Sequence, residues 1–409
     1  MALRNHIKHM KDSFLSSIDG KNTALKQRIL SLCINDGNYS IADLSKELGT
    51  SIPTITKFVG ELLEEGLLED MGKLDTNGGR RPSIYGLNPS AGFLVGVDIR
   101  RKGINLAITD FKGNLKDFQE NIPFTVQNTE KSFKGLCDTI QQALRGIGID
   151  PDKVLAYGFN MTGRVNNETG YCFSYFIGED KPIVSVLRES LGKPVFVEND
   201  SRAMTYGEYI CGAASNEKNV LFINIAYGLG MGVIADGILS YGKSGFSGEI
   251  GHFPILNNDI ICHCGKTGCL ETGASGSAAL RILTEKLREG RTSTLSDKFN
   301  KGEDITLYDI IDAVNEEDVL CIEVIEDIGT VLGRAIAGLI NLFNPELIIL
   351  GGIMASTKDY LMYPIRSAIR KHSLNIINSD TTIKFSKLGR KAGAIGSCML
   401  SRGKLLGLL

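Results

Sequence analysis

From about Asn22 onward, apolar residues fall at helical spacing: Leu25, Ile29, Leu32 and Cys33 mark one face of a first helix. Ser40-Ile41-Ala42-Asp43 has the form of a capping box, and the helix it starts carries Ile41, Leu44 and Leu48 on its apolar face until Gly49 stops it. Ser51 opens a third helix that tolerates Pro53 in its first turn. There Ile52, Ile55, Val59, Leu62 and Leu63 are expected to face inward, and Gly66 ends it. Leu67–Asp70 and Ser83–Leu87 can then pair as a hairpin around Asn77-Gly78-Gly79-Arg80-Arg81-Pro82. Helix, short helix, tight turn, third helix and hairpin make a winged helix-turn-helix.

At Phe93 the pattern changes to strands alternating with helices. Phe93–Asp98 and Ile104–Asp110 form one hairpin, and Val220–Ile225 and Gly232–Ala235 form another that turns at Asp236-Gly237. Further apolar strand cores, Val154–Phe159, Val195–Glu198 and Leu347–Leu350, follow these two openings. Two similar openings imply a duplicated lobe of α/β type. The chain divides into an extension at 1–21, a winged helix-turn-helix at 22–90 and a two-lobe domain at 91–409. The stretch Asp318–Phe343, rich in Ile, Val, Leu and Ala, suits lobe packing better than subunit contact.

Charge narrows the partners. The formal net charge is −2, and over residues 1–90 eleven Lys and Arg balance eleven Asp and Glu, so bulk electrostatics do not argue for a polyanion. DNA binding rests on arrangement instead. Thr54, Thr56 and Lys57 lie on the outer side of the third helix, where small polar and cationic groups suit base edges and phosphates. Arg80 and Arg81 at the wing tip suit a phosphate or the minor groove. A helical interaction domain with a solvated face is the plainer alternative. No apolar run reaches membrane-spanning length and nothing resembles a signal peptide, so a cytoplasmic protein with no membrane partner is expected.

The densest chemistry lies between Gly248 and Glu271. His252 precedes Cys262, Cys264 and Cys269, and Gly265 and Gly268 let the loop between these cysteines turn tightly. Packing does not call for such clustering. Zinc takes four nitrogen or sulfur ligands in a tetrahedron, and a closed set is structural. His252, Cys262, Cys264 and Cys269 complete such a set, with His263 a crowded competitor.

The lead-in Ala226-Tyr227-Gly228-Leu229-Gly230-Met231-Gly232, then Gly248-Glu249-Ile250-Gly251-His252, the Cys-x-Cys-Gly-x-x-Gly-Cys run and Leu270-Glu271 together resemble the ROK family. That family groups sugar-responsive repressors with sugar kinases, and the match runs from about Phe93 onward. The resemblance implies a two-lobe actin-like, ribonuclease-H-like fold. It implies that Asn199 and Asp200 are a sugar-binding pair, with Asp200 the catalytic base in the kinases. It also implies that Glu249, His252 and Glu271 are the remaining sugar ligands, held in place by the zinc loop. ROK repressors are similar in carrying a winged helix and a Gly-Gly-Arg-Arg-Pro-like stretch, which the kinases lack.

Against that pattern the nucleotide side departs. Family kinases resemble one another in an Asp-x-Gly-Gly-Thr phosphate turn, where this chain reads Asp98-Ile99-Arg100-Arg101-Lys102. Without those glycines phosphate cannot approach the backbone closely. Tyr227 stands where a small hydroxyl belongs, although Gly351-Gly352 is kept. Met161-Thr162-Gly163 and the segment from Ser174 to Glu179 also depart from the family pattern, which leaves the sugar open. The expected function is a sugar-responsive transcriptional regulator, in the first instance a repressor. It takes operator DNA, a sugar or sugar phosphate effector and structural zinc, does not use ATP, and acts as a homodimer or dimer of dimers. The alternative is an ATP-dependent sugar kinase carrying a winged helix, with Asp200 as its base.

Overall fold

The structure, a computed structural model, describes residues 20–35, 37–73, 82–100, 103–174 and 181–409. It resolves into two compact units, one of residues 1–161, 169–198 and 397–409 and one of residues 162–168 and 199–396. The first unit holds the helix-turn-helix together with one five-stranded sheet, and the second holds the other sheet. Among the described residues no helix is long and apolar enough to cross a membrane.

Helices α1 (Gly20–Asn35), α2 (Ile41–Leu48) and α3 (Ile52–Glu64) form the helix-turn-helix. At α2 the local code is obeyed closely. The Ser40 hydroxyl accepts the Asp43 N–H while the Asp43 carboxylate reaches back to the Ser40 N–H, and Gly49 closes the helix at φ 60°. Gly66 follows α3 at φ 71°. Strands β1 (Tyr39–Ser40), β2 (Leu68–Lys73) and β3 (Ser83–Leu87) form a three-stranded sheet in the order β1-β3-β2, so the wing hairpin pairs as expected. One expectation fails in detail. Ile52 is 56% exposed, because the first residue of α3 points away from a core that Phe58 fills instead. On α1, Leu30 is fully buried while Leu32 is only half-buried. Lys26 on α1 is also buried, paired with Glu61 at 2.8 Å and Glu65 at 2.5 Å on α3. Burial opposes its charge, but the hydrogen bonds from both glutamates hold its pKa above the ordinary lysine value.

In the first unit, strands β4 (Phe93–Arg100), β5 (Gly103–Asp110), β6 (Leu115–Ile122), β7 (Val154–Met161) and β8 (Val195–Asn199) build a sheet in the order β8-β7-β4-β5-β6. In the second, β9 (Val220–Ile225), β10 (Leu229–Ala235), β11 (Ile238–Leu239), β12 (Leu347–Gly351) and β13 (Thr382–Phe385) follow the order β11-β10-β9-β12-β13. Counted from its own first strand, each sheet reads 3-2-1-4-5. Each also has an antiparallel hairpin opening and a parallel fourth strand beside the first. The duplication read from the two hairpins is therefore present in topology.

Residues 319–343 form one long helix capped by Asp318, and its apolar residues are the centre of the second unit's core. Packing requires both Gly351 and Gly352: a Cβ on Gly351 would stand 2.2 Å from the Phe222 ring, and one on Gly352 2.4 Å from the Ile225 carbonyl oxygen.

Candidate functional site

The histidine and three cysteines singled out by spacing converge in the second unit. Their ligand atoms all lie within 4.8 Å of one another. A first-row dication bound to sulfur at about 2.3 Å and to nitrogen at about 2.0 Å gives tetrahedral edges of about 3.8 Å between sulfurs and about 3.5 Å between sulfur and nitrogen. Cys264 Sγ stands 3.7 Å from Cys269 Sγ, and Cys262 Sγ stands 3.6 Å from His252 Nδ1. Those distances match the edges of such a tetrahedron, and the sulfurs are too far apart for a disulfide. The turns that make this possible include Gly265 and Gly268, both at positive φ. The thiols are not equivalent. Burial pushes Cys262 up to about 12, whereas Cys264, despite its own burial cost, is held below the ordinary thiol value by hydrogen bonds from the Lys266 backbone and the neighbouring cysteines. A bound dication would favour the thiolate at all three.

His263 joins this cluster differently from expectation. Its Nδ1 lies 2.8 Å from Glu271 Oε1 and 3.7 Å from Cys262 Sγ, so it braces Glu271 and is a member of a second, overlapping set of Cys262, His263 and Glu271. Glu271 is buried, and its other oxygen accepts the Leu229 N–H at 2.9 Å at the start of β10. His252 Nε2 stands 3.9 Å from Glu249 Oε2, and its ring lies edge-on to that of His263 with centroids 5.1 Å apart. With Nδ1 turned to the sulfur, Nε2 is left to face whatever Glu249 faces. Glu249 is exposed and His252 half-buried.

Asn199 and Asp200 stand where β8 gives way to helix α4 (Asp200–Cys211). Asn199 caps that helix, its side-chain oxygen accepting the Arg202 N–H. Its amide donates to Gly163 O and to Asp200 Oδ1. Asp200 Oδ1 also accepts the Ser201 N–H at 2.7 Å, and Asp200 Oδ2 accepts the Thr162 hydroxyl at 3.0 Å. Thr162 and Gly163, which the sequence marked only as a departure, therefore fix the carboxylate. Strand β10 borders both groups: a Cβ on Gly230 would meet Ser201 Oγ, while Leu229 holds Glu271. Tyr227, on the turn just before β10, is 50% exposed.

In the first unit Asp98 is 2% exposed and accepts from Arg100 Nε at 2.9 Å. Burial raises the Asp98 pKa above the usual carboxylate value, and the Arg100 guanidinium pulls it back down. Arg101 and Lys102 lie outside the described residues.

On the helix-turn-helix, Thr56 and Lys57 are exposed, with Lys57 63% exposed and 3.9 Å from Glu61. The Thr56 hydroxyl donates back to Ile52 O. Thr54 is half-buried, with its hydroxyl 2.8 Å from the Ser51 hydroxyl, so it serves the start of α3 first. Arg80 and Arg81 lie outside the described residues.

Comparison with known proteins bears on the helix-turn-helix and on the family. Residues 23–69 match the winged helix-turn-helix DNA-binding model. The xylose repressor of Caldicellulosiruptor bescii is 27% identical over 92% of this chain and 96% of its own. The glucokinase of Halalkalibacterium halodurans is 33% identical over 74% of this chain and 92% of its own. The crystal structure of a ROK family transcriptional regulator, a homolog of the E. coli MLC protein, superposes with a TM-score of 0.81 at 28% identity, covering 95% of this chain and 98% of that one. The ROK family model itself matches residues 94–404, and the chain belongs to the ROK family, with a winged helix-turn-helix preceding its duplicated sheets.

Proposed function

We propose that this chain is a sugar-responsive transcriptional repressor. The winged helix binds operator DNA, the second unit binds a free sugar or sugar phosphate, and ligand changes the affinity for DNA. The observation that supports this best is the pairing, in one chain, of a helix-turn-helix presenting Thr56 and Lys57 with a set of acceptors and donors suited to hydroxyls. Every buried sugar hydroxyl must find a partner. Asn199, Asp200, Glu249, His252 and Glu271 are the groups that would supply them, with Thr162 holding the Asp200 carboxylate.

Zinc is the metal that suits one imidazole and three thiolates in a closed tetrahedron. When bound it fixes the loop between His252 and Glu271 and leaves no open position for a reaction. The residues themselves do the binding: His252 presents Nε2 beside Glu249, and His263 and Leu229 orient Glu271. Nucleotide binding is disfavoured because Arg100 already neutralises Asp98 at the turn where the family's kinases hold phosphate. Two copies of the chain would present two reading helices to two operator half-sites.

A sugar kinase carrying a winged helix is the second reading, favoured by Asp200 and by the likeness to a glucokinase. A thermal-shift screen of pentoses, hexoses, amino sugars and their phosphates tests both, with xylose first on the strength of a relative's name. The expected result is a raised Tm with one sugar class and no ATP turnover in its presence. Sugar-dependent ATP turnover that Asp200→Asn abolishes would replace the repressor by the kinase.

A further inference from the structure

The core of the helix-turn-helix is not closed by its own residues. It is completed by Phe111, in the turn after β5, and by Leu406, both fully buried, with Leu155 and Leu408 packed against them. Leu406 follows helix α5 (Ala392–Leu405). That helix ends in a Schellman turn: the Leu408 N–H donates to Gly403 O, the Gly407 N–H donates to Lys404 O, and Gly407 takes φ +67°. The turn aims Leu406 into the apolar core and its carbonyl at α1, where Gln27 Nε2 donates to it at 3.0 Å. One turn earlier, Arg402 is buried and donates from Nη1 to Phe111 O at 3.2 Å and Lys112 O at 2.7 Å. Residues 402–408 thus hold both pieces that seat the reading unit: the turn carrying Phe111 and helix α1.

The other end of α5 has different neighbours. Residues 392–396 belong to the second unit, where Gly396 lies so close to α4 that a Cβ would stand 1.8 Å from Ala203 O. Gly207 on α4 likewise meets Ala392 and Gly396 backbone. Helix α4 begins at Asp200. Backbone-to-backbone contact through glycine leaves no side chain to absorb a shift, so movement of α4 is passed to α5.

We propose that residues 402–408 are a fastening that positions the DNA-reading unit, with Leu406 its central positioning residue. In this proposal α5 is the route by which a ligand at Asp200 reaches that unit. The inference rests on the repressor reading for its consequence, but not for the fastening itself.

The test compares the full-length chain with Leu406→Ala, Leu406→Met and Gln27→Ala. Two measurements are made: amide hydrogen exchange, and operator affinity with and without the sugar found by thermal shift. In the wild type, sugar should change operator affinity by about fivefold or more, the lower end of allosteric coupling. In Leu406→Ala the ratio should fall to about twofold or less, with sugar affinity unchanged and α2 and α3 still protected. Exchange should rise in α1 and around Phe111. Leu406→Met, which refills the volume, should restore the ratio. If Leu406→Ala exposes all amides of residues 20–87, the unit has unfolded and Gln27→Ala decides: it removes one hydrogen bond and should still lower the ratio. Wild-type exchange and an unchanged ratio in both Leu406→Ala and Gln27→Ala would overturn the fastening. A wild type that binds no operator sinks the repressor reading, while the exchange arm still tests the fastening.

Discussion

The two sheets run through the same order of strands, yet their hairpin turns have been put to different uses. In the first, Arg100 pairs with the buried Asp98 at 2.9 Å at the end of β4. In the second, the turn before β10 keeps Gly228 and Gly230 because Glu271 and Ser201 press against them. A Cβ at Gly228 would stand 2.8 Å from Glu271 Oε2, and one at Gly230 2.2 Å from Ser201 Oγ. The glycines at the second hairpin thus make room for Glu271 and Ser201, whereas the first hairpin carries the Arg100–Asp98 ion pair. One topology, duplicated, carries an ion pair at its first hairpin and close-packed glycines at its second.

The contrast is sharpest at the metal loop, which exists in the second unit and has no counterpart in the described residues of the first. Chelation, or Cys264→Ser, should cost several kcal/mol of stability, because binding free energy at a structural zinc site is folding free energy. Sugar affinity should fall with it, since His252 and Glu271 lose their support. Metal analysis beside thermal melts checks this. Less than about half an equivalent of zinc in chelator-free protein would break the assignment.

A smaller effect is expected at the ion pair of the first sheet. Arg100→Ala leaves Asp98 buried without its countercharge, a loss of about 1–3 kcal/mol once the partial exposure of Arg100 is allowed for. The sign with pH follows from the raised folded pKa of Asp98, set mainly by burial. The folded state holds that proton more tightly than the unfolded chain, so stability falls as pH rises from the ordinary carboxylate range through the raised value. The deficit of Arg100→Ala should therefore be largest at neutral pH and shrink in acid, as urea melts across that range would show. Asp98→Asn should flatten the profile.

Smaller still is Lys57→Ala, which removes one exposed cation. Operator affinity should drop a few-fold and the salt slope by about one, if Lys57 meets a phosphate. Least of all is Lys26→Met. Replacing a buried lysine by an apolar side chain of similar length should leave stability nearly unchanged by thermal melt, because Glu61 and Glu65 are each about a third exposed and can return to water.

What the sequence made legible was local. Ser40 with Asp43, Gly49 and Gly66 mark helix ends through backbone geometry that a few neighbouring residues decide. The metal set was legible for the same reason, since three of its ligands share one short loop. Partners far apart in the chain were not. Lys26 reads as a surface charge until Glu61 and Glu65 are found beside it, and Leu406 reads as the end of a helix and not as part of the helix-turn-helix core. Thr162 holds Asp200, and His263 holds Glu271, through tertiary contacts that no spacing announces. Ile52 shows the opposite failure, because an apolar residue in the first turn of a helix satisfies the periodicity without reaching the core.

The central claim is that sugar binding in the second unit governs DNA binding by the helix-turn-helix. It is tested most directly by operator affinity with and without the sugar, in the wild type and in Glu249→Gln. The account predicts a wild-type change within the usual 1–3 kcal/mol of coupling, mirrored by an equal change in sugar affinity when operator is present, because linkage is reciprocal. It also predicts that Glu249→Gln binds operator like the wild type but no longer responds, having lost a sugar contact beside His252. A saturating sugar that shifts wild-type operator affinity by less than about twofold would contradict it.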